Sequence, residues 1–227
     1  MKTIKEGFLR KNLGLGKDVL IRKWLDEHGV KNYTINNDLT IDVDGNVDLS
    51  FYEEEQLPDY IQFGNVKGVF YIRESDMISL RGCPVRVGKD FICDLCGKLT
   101  SLEGAPKEVD GGFYCRYCSN LTLLKGCPKE VQGNFSCRYC SNLTLLKGCP
   151  KEVGGDFDCS GCEKLESLKG APEKVGGDFD CSRCEKLESL KGAPQKVGRH
   201  FYCNYCGEQF TKDDIKKVCK VNYGIHV

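Results

Sequence analysis

At 227 residues the chain can bury a core of its own, and its 33 Lys and Arg residues balance 33 Asp and Glu, so it lacks the basic excess of a general nucleic-acid or membrane-surface binder. No apolar run reaches membrane-spanning length, and the opening MKTIKEGFLRKNLGLGK has no apolar secretory core. Sixteen cysteines without an export signal therefore point to reduced thiols or metal ligands in a cytoplasmic protein, not to a disulfide framework.

Residues 1–16 are basic and read as a leader. Asp18 to His28 then reads as a helix: Ile21, Trp24, Leu25 and His28 share a face, Asp18 lies in the first turn and Gly29 is a stop signal. The expectation is an amphipathic cap anchored by Trp24, with a partner-binding helix as the alternative; leader and cap together make a first unit, 1–36. Leu39–Val43 and Val47–Phe51 alternate around Asp44-Gly45, which is a hairpin signal. Asp42, Asp44, Asn46, Asp48 and Glu53 have the look of a calcium loop, but Val47 stands where that loop needs glycine, and an outward strand face explains the carboxylates without an ion. Val66–Ile72 is an imperfect repeat. A hairpin cap and this degenerate coil are thus expected over 37–78.

From 79 to 210 one pattern recurs six times at a period of twenty-two: S/L-L-x-G-[AC]-P-x-x-V-x-x-x-F-x-C-x-x-C. A fixed period of this size means stacked coils, a solenoid. Phe91, Phe113, Phe135, Phe157, Phe179 and Phe201 would form an internal ladder, and leucines at 80–190 and 99–187 two more. The Gly-x-Pro step, from Gly82-x-Pro84 to Gly192-x-Pro194, marks a corner. V-x-x-x-F-x-C-x-x-C-x-x-L resembles a leucine-rich repeat, with F-x-C in place of L-x-L and the second Cys at the Asn/Cys position. Phrases such as GGDFDCS and SLKGAP are similar to repeat proteins of bacteriophages and bacteria. The resemblance covers about residues 37–227 and implies an inward second cysteine that holds the turn after the strand. The Pro-x-x-Val stretch departs from the family because it is too short for a helix; turns or a short 3₁₀ segment are expected there.

The six C-x-x-C pairs have the spacing arithmetic of zinc ribbons. Ile72 in the first Cys column, and exchange of Cys83, Cys127 and Cys149 with Ala105, Ala171 and Ala193, favour sulfur as core filling, with no metal or other cofactor. The alternative is a zinc-binding structural or nucleic-acid-associated protein that uses these pairs. At the other end, Thr211-Lys212-Asp213-Asp214 reads as a capping box, with Ile215, Val218 and Cys219 on one helical face, so a helical cap is expected over 211–227 after a break at Gln209.

The fold expected is a mainly β solenoid with a helix and hairpin cap before it and a helical cap after it. No phosphate loop, G-x-S-x-G or H-E-x-x-H appears, and six equivalent cysteine pairs do not suggest one activated nucleophile, so no enzyme is expected. The x positions of F-x-C-x-x-C should face outward. They place Tyr114, Arg116, Tyr117, Arg138 and Tyr139 on two adjacent coils, Asp158 and Asp180 as an acidic patch beside them, and Arg183, Tyr202 and Tyr205 further along. Tyr and Arg anchor interfaces, which points to non-catalytic binding of a protein partner, a host protein if the chain is phage-encoded; an ordinary solvated sheet face is the bland alternative. A lysine ladder, Lys125, Lys147, Lys169 and Lys191, is broken by Glu103 and cancelled by nearby Lys-Glu pairs, against nucleic acid. The sequence carries no signal for oligomeric state.

Overall fold

The computed structural model describes residues 16–227. The expected basic leader lies outside them, apart from Gly16. Helix α1 (Lys17–Glu27) buries Ile21, Trp24 and Leu25 and ends at His28. Gly29 follows at φ +66°, a conformation that costs other residues a Cβ clash. Trp24 meets Phe63 and Tyr52 edge-on, with ring centroids 6.3 and 6.2 Å away. The apolar face of the helix is thereby spent on covering the open end of the core.

The antiparallel pair at this end is not the one expected. β1 (Tyr33–Ile35) pairs with β2 (Ile41–Val43), Thr34 facing Asp42. β3 (Val47–Asp48) belongs to another sheet and runs parallel to β5 (Phe70–Tyr71). Asp44-Gly45-Asn46 is thus a corner of the first coil and not a hairpin turn. β4 (Phe63–Val66) runs parallel to β2, so 37–78 holds two degenerate coils where one was expected.

Each later coil repeats one plan. A two-residue strand ends on the Val column, a corner follows, and a second two-residue strand begins on the Phe column. The Phe strands, β7 (Phe91–Ile92), β9 (Phe113–Tyr114), β11 (Phe135–Ser136), β13 (Phe157–Asp158), β15 (Phe179–Asp180) and β17 (Phe201–Tyr202), stack in register as a parallel sheet of nine with β3, β5 and β19 (Ile225–His226). The Val strands form the opposite wall. The last two residues of Pro-x-x-Val therefore form a second strand where turns or a short 3₁₀ segment were expected: proline fixes the entry and the Val side chain packs inward. This wall is split between β8 (Glu108–Val109) and β10 (Glu130–Val131) into two five-stranded pieces. At the corner before each Val strand the chain needs φ near +90°. Gly126 is an example, at φ +105°, where a Cβ would collide with the Leu102 carbonyl of the preceding coil.

Between the walls the six Phe side chains are fully buried. Their rings follow one another at 4.9 to 5.5 Å, and Phe70 continues the ladder at 5.9 Å. Burial of such a side chain contributes about 2–3 kcal/mol. Both leucine columns are buried beside it. The corners are stitched by side chains that the sequence did not single out. The Oδ1 atoms of Asn46, Asp90, Asn134, Asp156 and Asp178 accept from the backbone N–H of the next coil, at 2.7 to 2.9 Å. The carboxylates with a calcium-loop look serve the same stacking: Asp42 accepts from the Asn65 N–H at 2.7 Å, and Asp44 pairs with Lys67 at 3.0 Å.

Beyond the regular coils, helix α2 (Lys212–Val218) starts with the expected capping box, Thr211 and Asp214 bonding reciprocally. Ile215 and Cys219 are buried, but Val218 is 43% exposed and does not share their face. β18 (Lys220–Val221) and β19 then extend both walls in parallel, so the end is closed by a further coil as well as a helix. Among the described residues no helix is long and apolar enough to cross a membrane.

Candidate functional site

The wall of nine Phe strands carries three lines of non-core side chains. The last of them, between the two cysteines of each pair, sits in a left-handed turn. Leu95, Tyr117, Tyr139, Arg183 and Tyr205 have φ between +56° and +60°, and Gly161 occupies the same place at +69°. The turn reverses the chain so that the second cysteine points inward. It also lifts the intervening side chain off the wall.

Tyr117 and Tyr139 use this projection to stack, with ring centroids 5.0 Å apart and planes at 17°. Arg138 lies over the Tyr139 ring at 4.9 Å, and Arg116 over Tyr114 at 5.0 Å. The Arg116 guanidinium donates twice to Asp94 Oδ2, at 3.0 and 2.5 Å, while its backbone N–H donates to Oδ1 at 2.8 Å. That bonding holds the guanidinium more firmly protonated than usual. Arg138 approaches Asp158 at 3.9 Å. Its Nε is buried without a hydrogen bond.

Tyr114, Arg116, Tyr117, Arg138, Tyr139 and Asp158 thus form one cluster, as their columns implied. Asp180 is the in-register neighbour of Asp158. Burial raises the Asp180 carboxyl, against the opposing bond from the Ser182 backbone N–H. Arg183, Tyr202 and Tyr205 stand apart. Tyr205 is 81% exposed and lines a shallow depression with Arg183. Tyr202 stacks on His226, centroids 4.6 Å apart.

Three positions expected to face outward do not: Asp94 and Ser136 are buried, and Gly161 is covered by the Tyr139 ring. Asp94 is the member of the cluster that sequence reasoning missed. The signal was present, since Asp94 stands one coil before Arg116 in the same column and opposite charges one rung apart pair across a parallel sheet. Lys125 and Glu103, also one coil apart, pair at 2.6 Å, so the lysine edge is neutralised at the rung where it was expected to break.

The second cysteine of each pair points inward. Cys118, Cys140, Cys162, Cys184 and Cys206 place Sγ 3.1 to 3.4 Å from the carbonyl oxygen of the first cysteine one coil earlier. Cys96 does the same toward Ile72, at 2.8 Å. The S–H donates and the carbonyl accepts. Burial pushes the thiols of Cys93, Cys127 and Cys149 well above their ordinary value. Cys206 runs the other way: hydrogen bonds from the Cys181 and Cys203 thiols lower it. These three sulfurs form the one cluster of three metal-ligating groups among the described residues. No family model, no curated protein and no solved structure matches this chain.

Proposed function

We propose that this protein is a non-catalytic repeat scaffold that binds another protein through the Phe-strand wall, with Tyr117 and Tyr139 at the centre of the contact. The observation that carries this is the stacked tyrosine pair on left-handed turns. An L-residue in that conformation gives up about 1–2 kcal/mol, which the neighbouring Gly161 avoids. Bulky aromatic side chains kept at such positions are a reason to look for function there. Tyr117 is 45% exposed, Arg138 lies over the Tyr139 ring, and Arg116 is fixed by Asp94 against Tyr114. Rigid aromatic and guanidinium groups on a fixed backbone lose little freedom on binding, which is why they dominate interface energetics.

The inward, carbonyl-bonded second cysteine supports the leucine-rich-repeat resemblance. The likeness of the Gly-rich phrases to phage-borne repeat proteins makes a cytoplasmic host protein the partner class we favour, bound and inhibited. The test is capture from a host lysate by the full chain, alongside the variant with Tyr117→Ala and Tyr139→Ala. A partner retained by the wild type and lost by the variant is expected. An unchanged partner list rejects this face. Binding lost with Arg116→Ala and Arg138→Ala and falling steeply with salt would reassign it to nucleic acid.

A further inference from the structure

The geometry points to a metal site at the end of the array, formed by Cys181, Cys203 and Cys206 and suited to a thiophilic d¹⁰ cation, Zn²⁺ or Cu⁺. The three Sγ atoms lie within 4.8 Å of one another, and Cys203 and Cys206 are 3.3 Å apart. Zinc–thiolate bonds of about 2.3 Å place sulfurs around a tetrahedral ion roughly 3.8 Å apart, so rotation of side chains alone brings the set to bonding distance. The backbone supplies the arrangement. Tyr205, at φ +58°, folds Cys206 back toward Cys203. The register Phe179 to Phe201 sets Cys181 beside Cys203 on the preceding coil.

The end of the array differs from its interior in access. Cys118, Cys140, Cys162 and Cys184 are sealed at 0% exposure, because each is covered by the next coil. After Cys206 the chain leaves the repeat, and the sulfur is only half-buried. It lines an open depression with Asn204, Tyr205, Glu208 and Phe210. An ion therefore has a path in, which a structural site requires. Three thiolates with no imidazole or carboxylate among them select soft cations over Mg²⁺ or Ca²⁺. A set of three protein ligands with one side toward solvent also leaves a coordination position for an outside ligand. The core role of sulfur in the inner coils is unaffected, since the site uses only the terminal rungs.

The test uses the full chain, reduced and stripped with chelator, titrated with Zn²⁺ and with Cu⁺, and with Cd²⁺ as the spectroscopic probe. One ion per chain is expected by native mass spectrometry, with a thiolate-to-metal absorption band and a raised melting temperature. Cys206→Ser should weaken binding by about 100-fold or more, beyond the cost of losing a supporting partner. Cys162→Ser should leave it intact. Alkylating Cys206 in the folded wild type should block uptake without any substitution, which separates ligand loss from misfolding. No thiolate band with any ion overturns the site. So does uptake indifferent to Cys206, or several ions lost together with Cys162→Ser.

Discussion

The coils through β9 and β11 present Tyr114, Arg116, Tyr117, Arg138 and Tyr139, whereas those through β13 and β15 carry Asp158, Ser160, Asp180 and Ser182 on the same backbone, with Arg183 and a buried Gly161 in their left-handed turns. In the second pair the Asp and Ser side chains are absorbed locally. Asp158 Oδ1 accepts from the Ser160 backbone and hydroxyl at 2.9 and 2.6 Å, and Asp180 accepts from the Ser182 backbone at 2.8 Å. In the first pair the aromatic groups satisfy no backbone group and lie on one another and under guanidinium groups. Equivalent turns can therefore either cap themselves or hold a side chain out. The stacked tyrosines sit where they do the latter.

The largest test of that contrast is Asp94→Ala. The Asp94 side chain is 4% exposed and takes three bonds from Arg116, so its loss strands a backbone N–H and unties the guanidinium. Because Arg116 is 36% exposed, it can return to water, which limits the cost to about 2–3 kcal/mol. Asp158→Ala on the other pair of coils removes the looser 3.9 Å approach to Arg138, a long 3.4 Å bond from the Ser136 hydroxyl and the cap on Ser160, and should cost about 1 kcal/mol. Urea denaturation of both variants measures the difference. Equal losses would mean that the aromatic coils are not specially braced.

Next in size is Gly161→Tyr, which would extend the aromatic stack into the acidic coils. The left-handed backbone would cost about 1–2 kcal/mol, and the new side chain would have to displace the Tyr139 ring now lying there. A variant as stable as the wild type would show that the turn carries no penalty for side chains, and the functional weight placed on Tyr117 and Tyr139 would fall with it.

The regular array was legible because its columns repeat at a constant spacing. Phe, Leu, Val and the paired Cys landed in the core, Cys206 at the end of the array only in part. The ends were harder to read because the spacing drifts while the shape is kept. Val43-x-x-x-Val47-x-Leu49 fills the same inward positions as Val131-x-x-x-Phe135-x-Cys137, and Val221-x-x-x-Ile225-x-Val227 repeats the spacing with Val221 and Ile225 half-buried, with twenty-three residues from Val43 to Val66 and twenty-four from Val197 to Val221. Alternation around Asp44-Gly45 therefore looked like a hairpin, although both halves face the core of one coil. Ser75 in the second Cys column, buried and bonded to Cys96 at 3.3 Å, marks the same tolerance. On the candidate face, columns identified the residues but not their direction. Asp94 is buried under the Arg116 side chain of the next coil, which alternation alone does not foresee.

A smaller effect separates the acidic coils by pH. Asp180 holds its proton more tightly when folded than when unfolded, because burial raises it. Its contribution to stability is thus full below the ordinary carboxylate pKa of about 3.9 and is lost as pH rises through the folded value. Asp180→Asn keeps the oxygen that accepts from Ser182 and removes the buried charge. The variant should melt higher than the wild type at neutral pH, and the two should converge at pH 3. A gap of the same size at both pH values would show that packing, not charge, sets the difference.

The smallest expected change in stability, and the most useful for function, comes from Tyr117→Gly. Relief of the left-handed backbone stabilises by about 1–2 kcal/mol, while loss of the Tyr139 stack costs about 0.5–1.5 kcal/mol. The two nearly cancel, so thermal denaturation should place this variant within about 1 kcal/mol of the wild type. Tyr117→Ala keeps the strained turn and loses the ring, so it should be the less stable of the two. Partner capture should fail equally in both. If capture instead follows stability, surviving in the Gly variant and falling in the Ala variant, then Tyr117 supports the coil and does not touch the partner.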